Sequence, residues 1–302
     1  MLIGIVGPTG SGKSEVGLVL AERLGAAIVS VDSMQVYRGM DIGTAKPSRA
    51  EQERVPHHLI DLVEPEASFS ILDYRTAATP VLERLQRPLL VGGSGLYLRA
   101  LVDEMSMGPT DPALRRELSE LTPELARQRL LELDPAAAAA VDLANPRRVT
   151  RALEIMLLGG LSPSAKATSR EASRLASYAS SVDFTGIGFD PGSRLTERLG
   201  IRLDQMLADG LLAEVAALAP RLGPTAAKAA GYRQLLGVVR GEYGLEKGRR
   251  LALAATVEVA RRQRTFLRAD PRIRWLDWDE NVEARVSSAL GIIEEMVGAW
   301  SS

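Results

Sequence analysis

The 302-residue chain is predicted to fold as α/β, with a parallel sheet, helices on both faces and an all-helical insertion. Three observations carry that expectation. Short apolar runs alternate with segments of helical period over the first hundred residues. A glycine-rich stretch, Gly7-Pro8-Thr9-Gly10-Ser11-Gly12-Lys13-Ser14, joins the first apolar run to the first helical segment. A long middle region rich in Ala, Leu, Arg and Glu carries no strand pattern.

In chain order, Leu2 to Val6 is an apolar run ended by Gly7 and reads as a buried strand. Residues 15–24 have helical period, and Gly25 closes them, because glycine accepts the left-handed conformation that ends helices. AAIVSVDS (26–33) is a second apolar run, ending at Asp32. HLID (58–61) reads as a short third strand, SILDYRTAATPVLERL (70–85) as a helix, and RPLLVGGSG (87–95) as a strand stopped by glycines. Residues 113–182 are taken as the helical insertion into a core of 1–112 and 183–302. Within it, ATSREASRLASYASS (167–181) reads as a mobile loop at the insertion's edge, and the alanine run 136–140 as helix without chemistry. FTGIGFD (184–190) resumes the strand pattern, helical patterns run from Arg194 to about Leu267, and RIRWLDW (272–278) is a last strand or an extended packing segment.

Composition narrows the function. With 37 basic and 38 acidic residues the formal charge is −1, so a globally basic nucleic-acid binder is not indicated, while local basic patches remain open. The absence of cysteine excludes disulfides, thiolate zinc sites and cysteine nucleophiles. The two histidines, His57 and His58, are adjacent and have no spaced partner; they are expected to shape a loop rather than hold a metal. No run of ~18 apolar residues suggests a membrane span. MLIGIV reaches the glycine loop at once and leaves no room for a signal peptide. A cytoplasmic globular protein is expected, and, with no coiled-coil pattern, a monomer.

Residues 7–14 match the phosphate-loop pattern G-x-x-x-x-G-K-[ST] in full, after a strand and before a helix. Such glycines let backbone N–H groups converge on phosphate oxygens at a helix N-terminus. Lys13 adds a point charge, and the Ser14 hydroxyl suits Mg²⁺. By pattern alone the loop promises ATP or GTP. An NTP hydrolase usually adds an acid at the end of another strand to hold the magnesium. The candidate strand here ends in glycines and Ser94, although Asp32 and Asp61 also end apolar runs. Ligands of a doubly wound sheet sit beyond the carboxyl ends of its strands, so Asp32 would face the phosphate loop. Position alone leaves two readings open: a general base on an incoming nucleophile, or a magnesium partner or helix cap.

A resemblance adds to this. SVDSMQVYRGMDIGTAKP (30–47) resembles the signature of bacterial tRNA dimethylallyltransferases, also called tRNA isopentenyltransferases. PHHLID (56–61), LLVGGSGLYLRAL (89–101), NPRRVTRALEI (145–155), AAGYRQL (229–235) and ARRQRTFLR (260–268) resemble that family too, in the expected order. The resemblance implies a phosphate-loop core with a helical insertion. It implies transfer of a dimethylallyl group from dimethylallyl diphosphate to N6 of the adenosine 3′ to the anticodon, in tRNAs reading codons that begin with U. Mg²⁺ is the implied cofactor, reached by Ser14 through the diphosphate, and the implied partner is the tRNA anticodon stem-loop.

Residue by residue, Asp32 is similar to the family's proposed base, Ser94 stands where the family usually has threonine, and Arg202 is similar to its diphosphate-side arginine. Without the family, Arg202 would read as an ordinary helix-surface residue. Phe266 stands where many members have tryptophan. Asp32, Ser33, Met34 and Gln35 resemble the substrate-recognition stretch; Gln35 is read either as a partner of the base or as a plain loop residue. Candidate tRNA contacts are Arg115, then Arg147, Arg148, Val149, Thr150 and Arg151, then Lys228, Gly231, Tyr232 and Arg233, and finally Arg261 and Arg264. Arginine clusters suit backbone phosphates. Residues 261, 264 and 268 share a helix face at i, i+3, i+7 spacing, although a solvated face is the default reading for any one of them. Two rival classes stay in view: a phosphate-loop kinase of a small metabolite, and a non-enzymatic nucleotide switch or RNA-binding protein. The missing D-D-x-x-D motif disfavours a prenyl-chain synthase.

Overall fold

The computed structural model describes residues 1–105, 107–169, 172 and 176–296. It divides into two compact units, one of residues 1–102 and 182–302, the other of residues 103–181. In the first, strands β1 (Leu2–Val6), β2 (Ala27–Val31), β3 (His57–His58), β4 (Pro88–Gly92), β5 (Phe184–Phe189) and β6 (Ile273–Leu276) form one parallel sheet. Their order is β3-β2-β4-β1-β5-β6. Helices α1 (Lys13–Leu24), α2 (Arg49–Arg54), α3 (Ile71–Arg84) and α4 (Gly95–Val102) belong to its first half.

The second unit holds α5 (Pro112–Ser119), α6 (Pro123–Leu133), α7 (Pro146–Leu157) and α8 (Pro163–Ala167), each begun by a side-chain cap: Asp111, Thr122, Asn145 and Ser162. Leu118, Leu130, Val149 and Leu153 form its own small core. Full burial of one such leucine is worth ~1.5–3 kcal/mol, so a handful of them supports a unit of this size. The expected loop at 167–181 falls partly on residues 170, 171 and 173–175, which lie outside the described residues. This unit starts at Asp103, where the sequence placed the insertion's start at 113. Nothing in residues 103–112 shows a period. Tertiary contacts decide the boundary: the Arg151 side chain of α7 donates to the carbonyls of Met107, Gly108 and Pro109, and the backbones of Asp103 and Ser180 form an isolated antiparallel bridge.

The first unit resumes with α9 (Leu195–Ala208), α10 (Leu211–Leu218), α11 (Tyr232–Val239), α12 (Leu245–Arg268) and α13 (Val282–Met296). Strand alternation splits the core into two layers. Ile3, Ile5, Ile28, Leu89 and Val91 pack with Val16 and Leu20 of α1 and with Val286 and Ile293 of α13. Val6, Val29, Val31 and Leu90 pack with Tyr74 of α3, Leu98 of α4 and Leu203, Val215 and Leu235 of the later helices.

One expectation needs correction and one alternative is settled. The third strand is His57–His58 rather than 58–61, because Leu59 and Asp61 take positive φ (63° and 53°) and turn the chain out of the sheet. RIRWLDW resolves into a strand, β6, paired to β5 from Gly186–Ile273 to Phe189–Leu276.

Candidate active site

The register of the central strands builds the site. Val6 of β1 lies opposite Gly92 of β4, and Gly92 opposite Val31 of β2. The residues that follow these strands, the phosphate loop, Gly93-Ser94 and Asp32, therefore emerge side by side at the carboxyl edge, where such sheets hold ligands. The backbones approach closely. A Cβ on Gly92 would sit 2.1 Å from the Val31 carbonyl oxygen, and one on Gly93 would sit 2.8 Å from that of Gly7. No acidic side chain fits at either position, which explains why β4 ends in glycines rather than in a magnesium-holding acid.

The loop itself turns on Gly10 and Gly12, both left-handed (φ 84° and 80°), and on a bond from the Ser11 N–H to the Pro8 carbonyl, 3.1 Å. Lys13 is buried, and its ammonium donates to the Pro8 carbonyl at 3.3 Å. Burial, with Arg202 nearby, pulls its pKa down to about 8, against a counter-pull from Asp32. Arg202 of α9 donates to Thr9 Oγ1 at 3.2 Å, and burial lowers its pKa too, with Asp32 and Glu15 opposing. Two cations and one carboxylate thus face each other without direct ion pairs among the described residues. Arg198 Nε holds the Gly10 carbonyl at 3.0 Å, and Gln263 of α12 accepts the Thr9 N–H at 2.8 Å.

Asp32 stands just past β2. Its Oδ1 accepts the N–H groups of Met34 (2.8 Å) and Gln35 (3.4 Å), so the side chain is oriented by its own turn. Ser94 Oγ accepts the Ser33 N–H at 3.3 Å, linking the ends of β2 and β4 and leaving the hydroxyl proton to donate. Met34 packs against the core. Gln35 is held in place: its Oε1 accepts from Ser30 Oγ at 2.8 Å, and its Nε2 donates to the carbonyls of Thr44 (3.3 Å) and Ala45 (3.0 Å). Both N–H groups are committed, so it braces the wall, while Oε1 keeps one lone pair and Gln35 lines the cleft.

The phosphate loop, Asp32, Gln35, Arg198 and Arg202 line a cleft of about 1050 Å³; Ser94 is not part of its lining. Lys13, Ser14, Asp32 and Arg202 stand at the phosphate-loop side, and Ile201 and Met206 of α9 give apolar surface; the segment from Asp41 to Gln52 forms another wall. That wall is anchored by residues the sequence reading missed. Glu214 of α10 accepts three consecutive N–H groups, from Asp41 (2.9 Å), Ile42 (2.8 Å) and Gly43 (3.0 Å), and also the Tyr232 hydroxyl. Lys46 is tied to Asp41 and Asp61 at 2.5 and 2.6 Å. The one sequence signal for Glu214 is an acid inside the apolar helix LLAEVAAL. His57 and His58 have lowered pKa values, first from burial, and no group of three or more metal-ligating side chains occurs among the described residues.

The candidate tRNA contacts separate by burial. Arg147, Arg148, Lys228, Arg233 and Arg261 are exposed, Thr150 is half-buried, and Gly231 caps a helix N-terminus at positive φ, 89°. Val149 (1 % exposed) and Tyr232 (0 %) are core residues, which removes their side chains as RNA contacts. Tyr232 closes over Gly43, where a Cβ would meet its ring at 2.4 Å. Arg115 and Arg151 both pair with the fully buried Glu154, at 2.8 and 2.6 Å. Burial works to raise the pKa of Glu154, but the two guanidiniums and the Asp111 N–H overcome it and hold it at about 2. Arg264 and Arg268 share the buried carboxylate of Asp190. The i, i+3, i+7 face is real, yet two of its three cations are already paired there.

Comparison with known proteins follows the same lines. The family model described as IPP transferase matches residues 35–270, and the isopentenyl transferase model matches residues 1–65. The chain belongs to the IPP transferase family. A tRNA dimethylallyltransferase of Parafrankia sp. is 42% identical, over 99% of this chain and 93% of that one. One from Streptomyces coelicolor is 41% identical, over 91% of this chain and 89% of that one. Among solved structures, a full-length tRNA isopentenylpyrophosphate transferase from Bacillus halodurans superposes with a TM-score of 0.71 at 33% identity, covering 99% and 97% of the two chains. A eukaryotic dimethylallyltransferase solved acting on tRNA shares the fold, with a TM-score of 0.76 at 24% identity over 98% and 79%. The family models reach Asp270; the strand and helix beyond it, β6 and α13, lie outside both matches.

Proposed function

We propose that the protein transfers the dimethylallyl group of dimethylallyl diphosphate to the exocyclic N6 amine of the adenosine 3′ to the anticodon, in tRNAs that read codons beginning with U, and releases diphosphate. One observation carries the reading. A phosphate loop and two cations face a turn-oriented carboxylate across one cleft, while the strand between them has no room for the acid of an NTP hydrolase.

The chemistry asks for these groups. The adenine amine is a weak nucleophile because its lone pair is delocalised. N6 forms a bond to the terminal allylic carbon as the bond from that carbon to the diphosphate oxygen breaks, and the electron pair departs with the diphosphate. The N6 proton passes to Asp32, whose Oδ1 is occupied by two backbone donors, so Oδ2 is the basic oxygen. General-base help of this kind is worth ~10²–10⁴-fold. Negative charge growing on the leaving group is met by Lys13, by Arg202 and by the orphan N–H groups at the start of α1. The Ser94 hydroxyl proton is available to the leaving group. An oxygen-only set of the Ser14 hydroxyl and diphosphate suits Mg²⁺, and the exposed Ser14 side chain fits that role; when bound, the ion neutralises phosphate charge. Arg147, Arg148, Arg233, Lys228 and Arg261 supply cations for RNA phosphates, and the adenosine must be turned out of its stack to reach Asp32. The chain acts as a monomer.

The test incubates the protein with undermodified tRNA, Mg²⁺ and dimethylallyl diphosphate and reads nucleosides by mass spectrometry. Addition of five carbons to adenosine is expected. Its absence, with ATP-dependent phosphorylation of a small molecule instead, would replace this reading by a kinase.

A further inference from the structure

The C-terminal segment beyond the family match reaches back to the phosphate loop. Trp278 follows β6, and its indole Nε1 donates to the Ser11 carbonyl at 2.8 Å. Arg285 of α13 donates to the same oxygen through Nη1 at 3.0 Å. A carbonyl oxygen has two lone pairs, and both are taken. Arg285 is 1 % exposed, one of the largest fully buried side chains of the protein, and its guanidinium lies 5.5 Å from the centre of the Trp278 ring. Glu15 of α1 faces its Nη2 at 3.5 Å. The fit is close: a Cβ on Gly12 would meet Arg285 Nη1 at 2.1 Å.

A buried arginine held by one backbone carbonyl and a 3.5 Å ion pair with the exposed Glu15 is a costly way to fill space. Its consequence lies on the other side of the peptide. The peptide unit is planar and trans, so the Ser11 C=O and the Gly12 N–H point in opposite directions. Holding the carbonyl toward the C-terminal segment aims the Gly12 N–H the opposite way, and Gly12 lines the cleft. The neighbouring carbonyl, Gly10, is held from α9 by Arg198, which also stacks 4.7 Å from the Trp278 ring. Three side chains from beyond residue 190 therefore set the orientation of two peptide units in the loop.

We propose that Trp278 and Arg285 are positioning residues for anion binding, which lock the Ser11–Gly12 peptide with its N–H turned to the diphosphate. The inference deepens the prenyl-transfer reading and rests on it for the identity of the anion. The pair touches neither substrate; it acts through the loop. Both residues belong to the last strand-and-helix segment of the first unit, β6 to α13.

Calorimetric titration with inorganic diphosphate and Mg²⁺ tests it in the full chain. Trp278→Phe keeps the ring and the stacking and removes one donor; diphosphate affinity is expected to fall about fivefold, the worth of one neutral hydrogen bond. Arg285→Lys keeps the charge and loses the fork, with a fall of about tenfold expected. With tRNA and donor, the donor KM should rise by the same factors while tRNA affinity stays at the wild-type value. In ¹⁵N-glycine-labelled protein, the diphosphate-induced shift of the Gly12 amide should shrink in both variants. Arg285→Met endangers folding, so the milder pair decides, each checked by thermal melting. Folded variants that bind diphosphate as tightly as wild type overturn the inference. A wild-type protein that binds diphosphate yet modifies no tRNA overturns the prenyl reading instead, and the diphosphate affinities of the variants still decide the role of the pair.

Discussion

Donor binding should be coupled to a proton, and the group responsible is Lys13. In the free protein its pKa is about 8, against an ordinary 10.5, through burial first and Arg202 second. The difference is ~2.5 units, so its charged form is disfavoured by ~3 kcal/mol relative to water. A diphosphate placed against the ammonium returns that cost and raises the pKa again. Binding then takes up a proton at any pH where the free lysine is partly neutral. The sign follows: the lysine contributes no slope well below pH 8, and affinity falls progressively as pH rises through it. The donor's own last phosphate ionisation, near 6, is complete by about pH 7.5, so the slope above that pH belongs to the protein. Between pH 7.5 and 9.5 a single group of pKa about 8 weakens binding roughly 25-fold. Titration calorimetry with dimethylallyl diphosphate, in two buffers of different ionisation enthalpy, measures the uptake directly. It should be about a quarter of a proton at pH 7.5 and close to one at pH 9.5. Lys13→Gln should bind weakly at every pH and show no uptake. A wild-type affinity that stays constant over the range, with no proton taken up, would refute the coupling.

Asp32→Asn preserves the oxygen that accepts the Met34 and Gln35 amides, so the turn should survive while kcat falls by ~10²–10⁴ and tRNA affinity holds; loss of tRNA binding at an unchanged saturating rate would reassign the residue. Glu154 has its folded pKa below its unfolded value, so its contribution is present above about pH 4.5 and is lost as pH falls toward 2. Glu154→Gln at pH 7 should cost the helical unit ~2 kcal/mol, discounted for the partial exposure of Arg115 and Arg151, and speed its proteolysis. Arg261→Ala should weaken tRNA binding and lower the salt slope by about 1, whereas Arg264→Ala strips a partner from buried Asp190 and should lower the melting temperature.

The fold was legible because its signals are local. Apolar runs of five residues, the glycine loop and the helix caps each declare themselves within a few neighbours, and parallel strands follow from their alternation with helices. Asp32, Ser94 and Arg202 were singled out for a different reason, since they sit in motifs that resemble a known family. The same motifs misled where they ran across a buried face: Val149 and Tyr232 lie within basic stretches, yet the helix turns them into the core. Sequence spacing gives the face of a helix but not what that face meets.

By itself, then, the sequence determined the sheet, the helical insertion and the phosphate loop, whose backbone needs only a few adjacent residues to form. Tertiary structure alone decided how the loop and its walls are held. Glu214 meets the amides of residues 41–43 from about 170 positions away, and Trp278 and Arg285 reach Ser11 from 267 and 274. It also decided which arginines are paired with Glu154 and Asp190. A buried polar group takes whichever partner packing brings within hydrogen-bond reach, and that partner leaves no period, motif or composition bias in the chain.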